Sequence, residues 1–265
     1  RLPVLYRLAV LLENVGETAR ALADVLFNDP EALVRIDLAE YNEKHSVFAL
    51  FGSPRHYDYG HAGAGLLSEA ILRRPHSIVV FEAPEQAHPD VSQALCQILD
   101  ESEFNDRQGR CVDFGHAVFV FESRIGGGFI NNTSLMRSQI ERMVMEAVHN
   151  QFRREILRRI EDTVIFDRLS SDALRQILGH LLAVAGSSIP GRHLTICLSH
   201  NAQETLILND FDPEVGVPSL LKALQRRILG PLAAKILDGS LNSDRIEITL
   251  ESTPTGRVSY GFRVI

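Results

Sequence analysis

The sequence predicts an α/β protein in which helices flank a parallel sheet, followed by a smaller C-terminal α+β subdomain. Two patterns support this fold class. Up to about Arg168, short apolar runs rich in β-branched residues alternate with longer segments of helical period, which is typical of a parallel sheet covered by helices. After that point a helix, a strand and a second helix precede two strand-like runs, separated by a plausible hairpin loop at residues 251–256.

The individual elements follow from these periods. In the first part, strands are predicted at 7–12, 33–38, 77–81, 117–121 and 163–166, and helices at 16–27, 65–73, 89–100 and 135–154. In the second part, helices are predicted at 170–184 and 219–237, and strands at 193–198, 245–250 and 257–264. The predicted boundary gives a large subdomain of residues 1–168 and a small one of residues 169–265.

Composition and charge exclude several classes of protein. The chain of 265 residues is 45% hydrophobic, enough for a sizeable core, and its net charge of -7 argues against a nucleic-acid partner. No apolar run approaches the roughly 18 residues that a membrane span needs. Cys96, Cys111 and Cys197 form no CxxC pair, so neither a zinc site nor a disulfide framework is predicted. The predicted location is the cytoplasm.

Five stretches of the sequence carry a family resemblance. They are LVRIDLAEYNEKHSVFALFGSP from Leu33, SEAILRRPHSIVVFEAPEQAHPDV from Ser68, QILDESEFNDRQGRCVDF from Gln97, FRREILRRIEDTVIF from Phe152, and the segment from FDP at Phe211 to GPLAAKIL. In this order they resemble the second ATPase module of the Clp chaperones, the ClpB disaggregase above all. The resemblance covers nearly the whole chain and implies an AAA+ fold of the P-loop type with a Clp-type small subdomain.

The phosphate-binding loop of such a module has the form GxxxxGK[ST], in which the Lys meets the phosphates and the hydroxyl holds Mg²⁺. By the resemblance it corresponds to residues 12–19, where Gly16 and Thr18 remain but the first Gly is absent and Glu17 replaces the Lys. At about 4 Å and an effective dielectric of about 20, this replacement turns an attraction of about 4 kcal/mol into a repulsion. Tight ATP binding is therefore not expected. Alternatively, Gly16 and Thr18 simply start an amphipathic helix.

The resemblance implies further losses at the nucleotide site. The family's Asp-Glu pair after the next strand corresponds to Glu82 and Ala83, and a methyl group cannot activate water, so hydrolysis by the usual route should fail. Glu82 is either a residual metal contact or a solvated carboxylate at a strand end. The two sensor residues of the family, an Asn and an Arg, correspond to Arg124 and Pro218.

Two features of the family are retained. Arg159 matches the arginine finger, which reaches into a neighbouring subunit's site and stabilises the charge that develops during phosphoryl transfer. The alternative is a surface helix with a basic turn. Tyr57 and Tyr59 lie where the family has a pore loop that grips unfolded polypeptide, although these tyrosines could equally pack locally.

The sequence therefore predicts a catalytically inactive Clp-like AAA+ module, a pseudo-ATPase, that acts in oligomer assembly or protein–protein interaction within a longer chaperone-like protein. The alternative is a subunit of an ATP-dependent chaperone or unfoldase that supplies an arginine finger in trans and a peptide-gripping loop. No catalytic residue, metal or cofactor is expected, and ATP with Mg²⁺ only if a rearranged loop still binds it. The predicted partners are proteins, either other AAA+ subunits or unfolded polypeptide.

Overall fold

A computed structural model describes residues 6–10, 15–52, 65–106, 109–130, 132, 134–187, 194–213, 215–241, 245–252 and 258–264. Within these ranges, only the backbone is described for residues 6–10, 15, 17, 251, 252, 258 and 259. The chain divides into two compact units, Arg1–Asp167 and Arg168–Ile265, each with its own sheet and its own hydrophobic core.

The first unit is built on a parallel sheet. Its strands are β1 (Tyr6–Val10), β2 (Leu33–Asp37), β3 (Ile78–Glu82), β4 (Glu103–Asn105), β5 (Cys111–Asp113), β6 (Val118–Ser123) and β7 (Asp162–Ile165). The parallel sheet has the order β2-β3-β6-β1-β7, while β4 and β5 form a separate antiparallel pair. Residues 78–81 of β3 are completely buried, as expected for a strand covered on both faces.

Helices cover the sheet from both sides. They are α1 (Val15–Phe27), α2 (Ser46–Phe51), α3 (Leu66–Arg73), α4 (Pro89–Glu101), α5 (Gly127–Ile130), α6 (Arg137–Gln151) and α7 (Arg154–Leu157). On one face Ala19 and Ala23 of α1 pack against Val80, because their small side chains let the helix approach the strands closely. On the other face Phe81 and Phe121 stack within the larger core, with ring centroids 5.2 Å apart.

The structure departs from the predicted elements of this unit in three places. The predicted helix at 135–154 corresponds to α6 but is too long, because the backbone becomes extended at the buried Phe152, which separates α6 from α7. The short helix α2 and the β4–β5 pair were not predicted, since neither is long enough to establish a period in the sequence. The predicted first strand at 7–12 extends beyond β1 into residues 11 and 12, which lie outside the described residues.

The second unit is smaller. Its elements are α8 (Ser171–Ser187), β8 (Thr195–Leu198), α9 (His200–Asp210), α10 (Val217–Leu224), a π-helical segment (Gln225–Leu229), α11 (Gly230–Leu237), β9 (Arg245–Ser252) and β10 (Val258–Val264). The sheet has the order β10-β9-β8, in which β9 pairs antiparallel with β10 and parallel with β8. This is an α+β arrangement, with Leu178, Leu206 and Ile246 fully buried in its core.

Two local features of the second unit were not predicted. The predicted helix at 219–237 contains the π-helical segment, in which the Gly230 N–H donates to the Gln225 carbonyl. Pro231 follows directly, and its ring cannot donate and conflicts with regular helical bonding, so a wider turn accommodates it. Helix α9 was missed because its apolar residues are consecutive, and Leu208 among them is 78% exposed, so no helical stripe is visible.

Candidate functional site

Three carboxylate residues lie in register at the carboxyl ends of β2, β3 and β6. Asp37 is opposite Glu82, and Glu82 is opposite Glu122. Ligand crevices in open α/β sheets form beyond this edge. Asp37 is committed to local structure, because its side chain accepts a hydrogen bond of 2.9 Å from the Ala39 N–H and caps the next turn. The chemistry of the edge therefore depends on Glu82, Glu122 and the residues around them.

Glu82 is paired with an arginine that comes from the neighbouring strand. Arg35 Nε donates to Glu82 Oε1 at 2.7 Å, and Arg35 Nη2 lies 2.7 Å from the same oxygen. The Glu82 side chain is 29% exposed and that of Arg35 49% exposed. Both contacts use the same carboxylate oxygen, and the pair neutralises the charge of Glu82.

The guanidinium of Arg35 also lies against the start of α1. A Cβ placed on Gly16 would be 2.7 Å from Arg35 Nη1, so a side chain at position 16 would require the guanidinium to shift. Thr18 is exposed, and for Glu17 only the helical backbone is described. Arg35, on the next strand of the chain, β2, thus places a cation beside this helix start. The predicted roles of Gly16, Glu17 and Thr18 stay predictions.

Glu122 is the second carboxylate of this edge. Its Oε2 is buried and has no hydrogen-bond partner among the described residues. Burial, together with the negative charge of Glu82, raises the pKa of Glu122, while the charges of Arg35 and Arg124 act in the opposite direction. Arg124 itself is exposed just beyond β6. Arg35, Glu82, Glu122 and Arg124 therefore form a cluster of two cations and two carboxylates, which we call the edge cluster.

Ala83 occupies a special backbone position directly after Glu82. Its φ of 47° and ψ of 51° are left-handed, and its N–H donates to the Glu122 carbonyl at 2.8 Å. Two residues later, Glu85 has a buried Oε2 with no partner among the described residues. Burial raises the pKa of Glu85, against hydrogen bonds from its own backbone and from Ser123 that lower it. The edge thus holds several carboxylates, but at Ala83 only a methyl group.

Three residues of this site were missed by sequence reasoning: Arg35, Glu85 and Glu122. A signal for two of them was present, because Arg35 and Glu122 are charged residues inside otherwise apolar strand runs. A charge in such a position needs a partner when the strand is covered on both faces. Which partner it finds depends on strand order, which the sequence pattern did not specify.

Pro218 belongs to the second unit. It is the second residue of α10, after Gly216 with φ of 78° and ψ of -149°. A proline suits the first turn of a helix, where its missing N–H costs no helical hydrogen bond. Proline carries no cation. The loss of the family's sensor arginine at this position remains a prediction.

Arg159 is held by a carboxylate from another helix. It follows α7, and its Nε donates to Asp100 Oδ1 at 2.6 Å while its Nη2 pairs with Asp100 Oδ2. Its Nη1 donates to the backbone carbonyl of Glu155. The Arg159 side chain is 27% exposed and borders an open groove of about 740 Å³ between α2 and α4. Both the finger role and the basic-turn alternative remain predictions.

Tyr57 and Tyr59 lie outside the described residues. The residues on either side of their segment are described, however, and they meet. A Cβ on Gly65 would be 2.3 Å from both the Gly52 nitrogen and the Leu50 oxygen, so the two ends of the segment are in backbone contact. A side chain at Gly65 would therefore block its contact with the backbone of residues 50–52.

No helix of the described residues is long and apolar enough to cross a bilayer. Within the same described ranges, no cluster of three or more His, Cys, Asp or Glu residues could hold a metal ion.

Comparison with known proteins identifies the class of each unit. A family model for the AAA domain (Cdc48 subfamily) matches residues 9–163, and the chain belongs to this family. A second model, for the C-terminal D2-small domain of ClpB protein, matches residues 169–250. The predicted AAA+ fold class and the resemblance to the second ATPase module of ClpB are confirmed.

Individual relatives are similar over almost the whole chain. Chaperone protein ClpB 1 of Nostoc sp. is 41% identical over 89% of this chain, and chaperone protein ClpB of Propionibacterium freudenreichii subsp. shermanii is 38% identical over 88%. The matched region is 27% of each relative, so the chain spans about a quarter of their length. A cryo-EM reconstruction of Hsp104 in its closed state, with ATPγS and FITC casein, matches 98% of this chain and 45% of that one, at 27% identity and a TM-score of 0.81.

Proposed function

We propose that this chain is a module of an ATP-dependent, ClpB-like chaperone, that its own site does not hydrolyse ATP, and that Arg159 acts on the site of a neighbouring subunit. The chain is similar to chaperones along both units, which favours a chaperone module over an unrelated scaffold. Because it spans only about a quarter of those relatives, the chaperone activity, the oligomer and the unfolded substrate are all parts of the proposal.

The edge cluster supports the absence of hydrolysis. A bound Mg²⁺·ATP would need free cations for phosphate and a carboxylate to activate water. Here Arg35 is paired with Glu82, and position 83 carries a methyl group. Glu17 and Pro218 stand where the family pattern has its two further cations. These residue types support a site that does not hydrolyse ATP.

Calorimetric titration of the chain with ATP and with ADP, each with Mg²⁺, tests this half of the proposal. We expect no heat of binding at millimolar nucleotide, since the phosphates would meet Glu17 instead of a lysine. Binding in the micromolar range would contradict it, because the loop would then have to place another cation on the phosphates.

The observation that carries the other half is the two-oxygen contact of Arg159 with Asp100. An arginine held by a carboxylate fork has a fixed plane and direction, which a flexible surface arginine lacks. A finger in trans needs this kind of preorganisation, because it must meet charge only when the transition state forms.

Mixed assemblies test the action in trans. The chain is combined with ClpB 1 of Nostoc sp., and ATP hydrolysis is measured after co-assembly has been verified by sedimentation. We expect Arg159→Ala to lower hydrolysis at the sites that face this chain by about 10³-fold, the scale of an arginine finger. Arg158→Ala is the matched control, because Arg158 is the exposed neighbouring residue. Equal rates for both variants would leave only the assembly role predicted from the sequence.

Contact with unfolded polypeptide is the third part of the proposal. FITC casein, which accompanies Hsp104 in its closed structure, is a suitable probe for fluorescence anisotropy. Replacing Tyr57 and Tyr59 together by Ala should weaken capture about tenfold, since each ring offers stacking area to a passing chain. The double replacement by Phe keeps the rings and should keep capture. Unchanged capture by the Ala variant would show that the segment packs locally instead.

A further inference from the structure

The hydrogen bonds of Arg159 leave part of its guanidinium open. An arginine has five N–H donors in a fixed fork. Nε and Nη2 each give one to Asp100, and Nη1 gives one to the Glu155 carbonyl. Two N–H groups remain without a partner among the described residues, one on each terminal nitrogen. Arg159 borders the groove, and its side chain is 27% exposed, so part of the guanidinium is open to solvent.

The two partners are carried by separate backbone elements. Asp100 is in the last turn of α4, and Arg159 follows the four-residue helix α7. Ile156 of α7 is 1% exposed and anchors that short helix in the core it shares with α4. The backbone positions are therefore fixed by packing, and the only freedom left to Arg159 is the direction of its long side chain.

The contact contributes orientation more than stability. The side chain of Asp100 is 52% exposed, and ion pairs at exposed positions add little to the free energy of unfolding. The hydrogen bond from Arg159 lowers the pKa of Asp100, so the carboxylate is charged throughout the neutral range. A pair that stabilises little but fixes a planar cation in one direction is suited to positioning that cation.

We propose that Asp100 is a positioning residue for Arg159: it holds Nε and Nη2, so that the two remaining N–H groups keep one direction and stay available to an anion. The inference rests on the proposed function, in which that anion is the phosphate group in a neighbouring subunit's site. Asp100 keeps its contact while the anion binds, because the anion uses the remaining N–H groups and not the ones that Asp100 accepts. A carboxylate that held the arginine in an inactive position would instead have to release it before the anion could bind.

The first arm of the test observes Arg159 directly. In the chain labelled with ¹⁵N, the Arg159 Nε–Hε signal is assigned by its loss in Arg159→Ala. We expect Asp100→Ala to abolish this signal through faster exchange and motion, and Glu101→Ala, a neighbouring carboxylate on α4 bonded to Gln97, to leave it in place. An Arg159 signal that is unchanged in Asp100→Ala would overturn the inference.

The second arm measures function in the mixed assemblies described above. Asp100→Ala should lower kcat at the facing sites by about 10–100-fold, the cost of a misdirected catalytic group, with KM and co-assembly unchanged. The double variant with Arg159→Ala should be no slower than Arg159→Ala alone, because Asp100 acts only through Arg159. Asp100→Asn, which keeps the shape but not the charge, should lie between wild type and Asp100→Ala.

The outcomes separate this inference from the proposed function. If Arg159→Ala slows hydrolysis but Asp100→Ala does not, or if Asp100→Ala speeds it up, positioning is wrong and the finger remains. Faster hydrolysis by Asp100→Ala is the result expected if Asp100 holds Arg159 in an inactive position. If Arg159→Ala has no effect in a verified assembly, the proposed function fails, and the functional half of this inference fails with it.

Discussion

Two arginines of the first unit, Arg35 and Arg159, make opposite use of their hydrogen-bond donors. Arg35 directs two nitrogens at a single oxygen of Glu82 and lies over the start of α1, inside a cluster of balanced charge. Arg159 binds both oxygens of Asp100 and keeps donors at the border of an open groove. The charge of Arg35 is neutralised by a carboxylate of the same chain. Asp100 fixes the direction of Arg159 and leaves two of its N–H groups for another partner.

Under the proposed function, this difference explains how a module without ATP hydrolysis of its own could still act on a neighbouring subunit's site. A nucleotide site requires cations that are free to meet phosphates, and internal pairing removes them. A finger requires a cation of fixed direction, which internal pairing provides if it uses only some of the donors. Under the proposed function, the same type of contact therefore has opposite consequences at Arg35 and at Arg159.

The largest effect on stability should come from breaking the edge cluster. Arg35→Ala removes the ion-pair partner of Glu82, which lies beside the half-buried Glu122, and should cost about 1–2 kcal/mol of unfolding free energy. Urea unfolding measures this cost. Arg73→Ala is the control, since Arg73 is 82% exposed and only 3.7 Å from Glu69, and exposed pairs contribute little. Equal midpoints for the two variants would mean that the edge cluster does not stabilise the fold.

A smaller effect, with a defined pH dependence, is expected at Glu122. Burial raises the pKa of Glu122 in the folded state. The contribution of Glu122 to the free energy of unfolding is therefore full at pH values below the ordinary Glu pKa, and it is lost as pH rises through the raised pKa. Glu122→Gln removes the ionisation and should raise Tm by about 2–4 °C at pH 8, or about 1 kcal/mol, with no gain at pH 4. Thermal unfolding at both pH values tests this. Glu101→Gln on the exposed side of α4 should show no such gain, and a matching gain there would contradict the assignment to burial.

The smallest effect concerns Gly16 and depends on Arg35. In the wild type, a Cβ at Gly16 would meet Arg35 Nη1, so Gly16→Ala should shift the guanidinium and destabilise slightly. In the background of Arg35→Ala the obstacle is gone, and the same change should stabilise by up to about 1 kcal/mol, because Ala is the better helix former. Opposite signs in the two backgrounds support the contact. The same sign in both would place Arg35 elsewhere in solution.

Much of the fold could be predicted because its determinants are local. The buried runs of β3 and β6 read directly as strands, and α1, α3, α4 and α8 have helical periods. Elements without a local period were missed, among them α9, whose consecutive apolar residues give no helical stripe. The break between α6 and α7 was missed for a different reason: the helical pattern continues through Phe152 in the sequence, but burial of this residue interrupts the helix.

The candidate site was predictable only where one position decides the chemistry. That Ala83 carries no acid–base group and Pro218 no cation can be read from the chain itself. That Arg35 meets Glu82 could not, because the two residues are 47 positions apart and come together only through the pairing of β2 with β3. The partnership of Arg159 and Asp100, 59 positions apart, likewise arises from two helices that the sequence places separately.

By itself, the sequence determined the α/β class, the Clp-type resemblance and the residue types present at each motif, since periodicity and side-chain chemistry are properties of the chain alone. Only the tertiary structure decided which charges are paired with each other and which retain open donors. The physical reason is that Coulomb energy and hydrogen bonding depend on distances of a few ångströms between residues far apart in sequence, and strand order and helix packing set those distances.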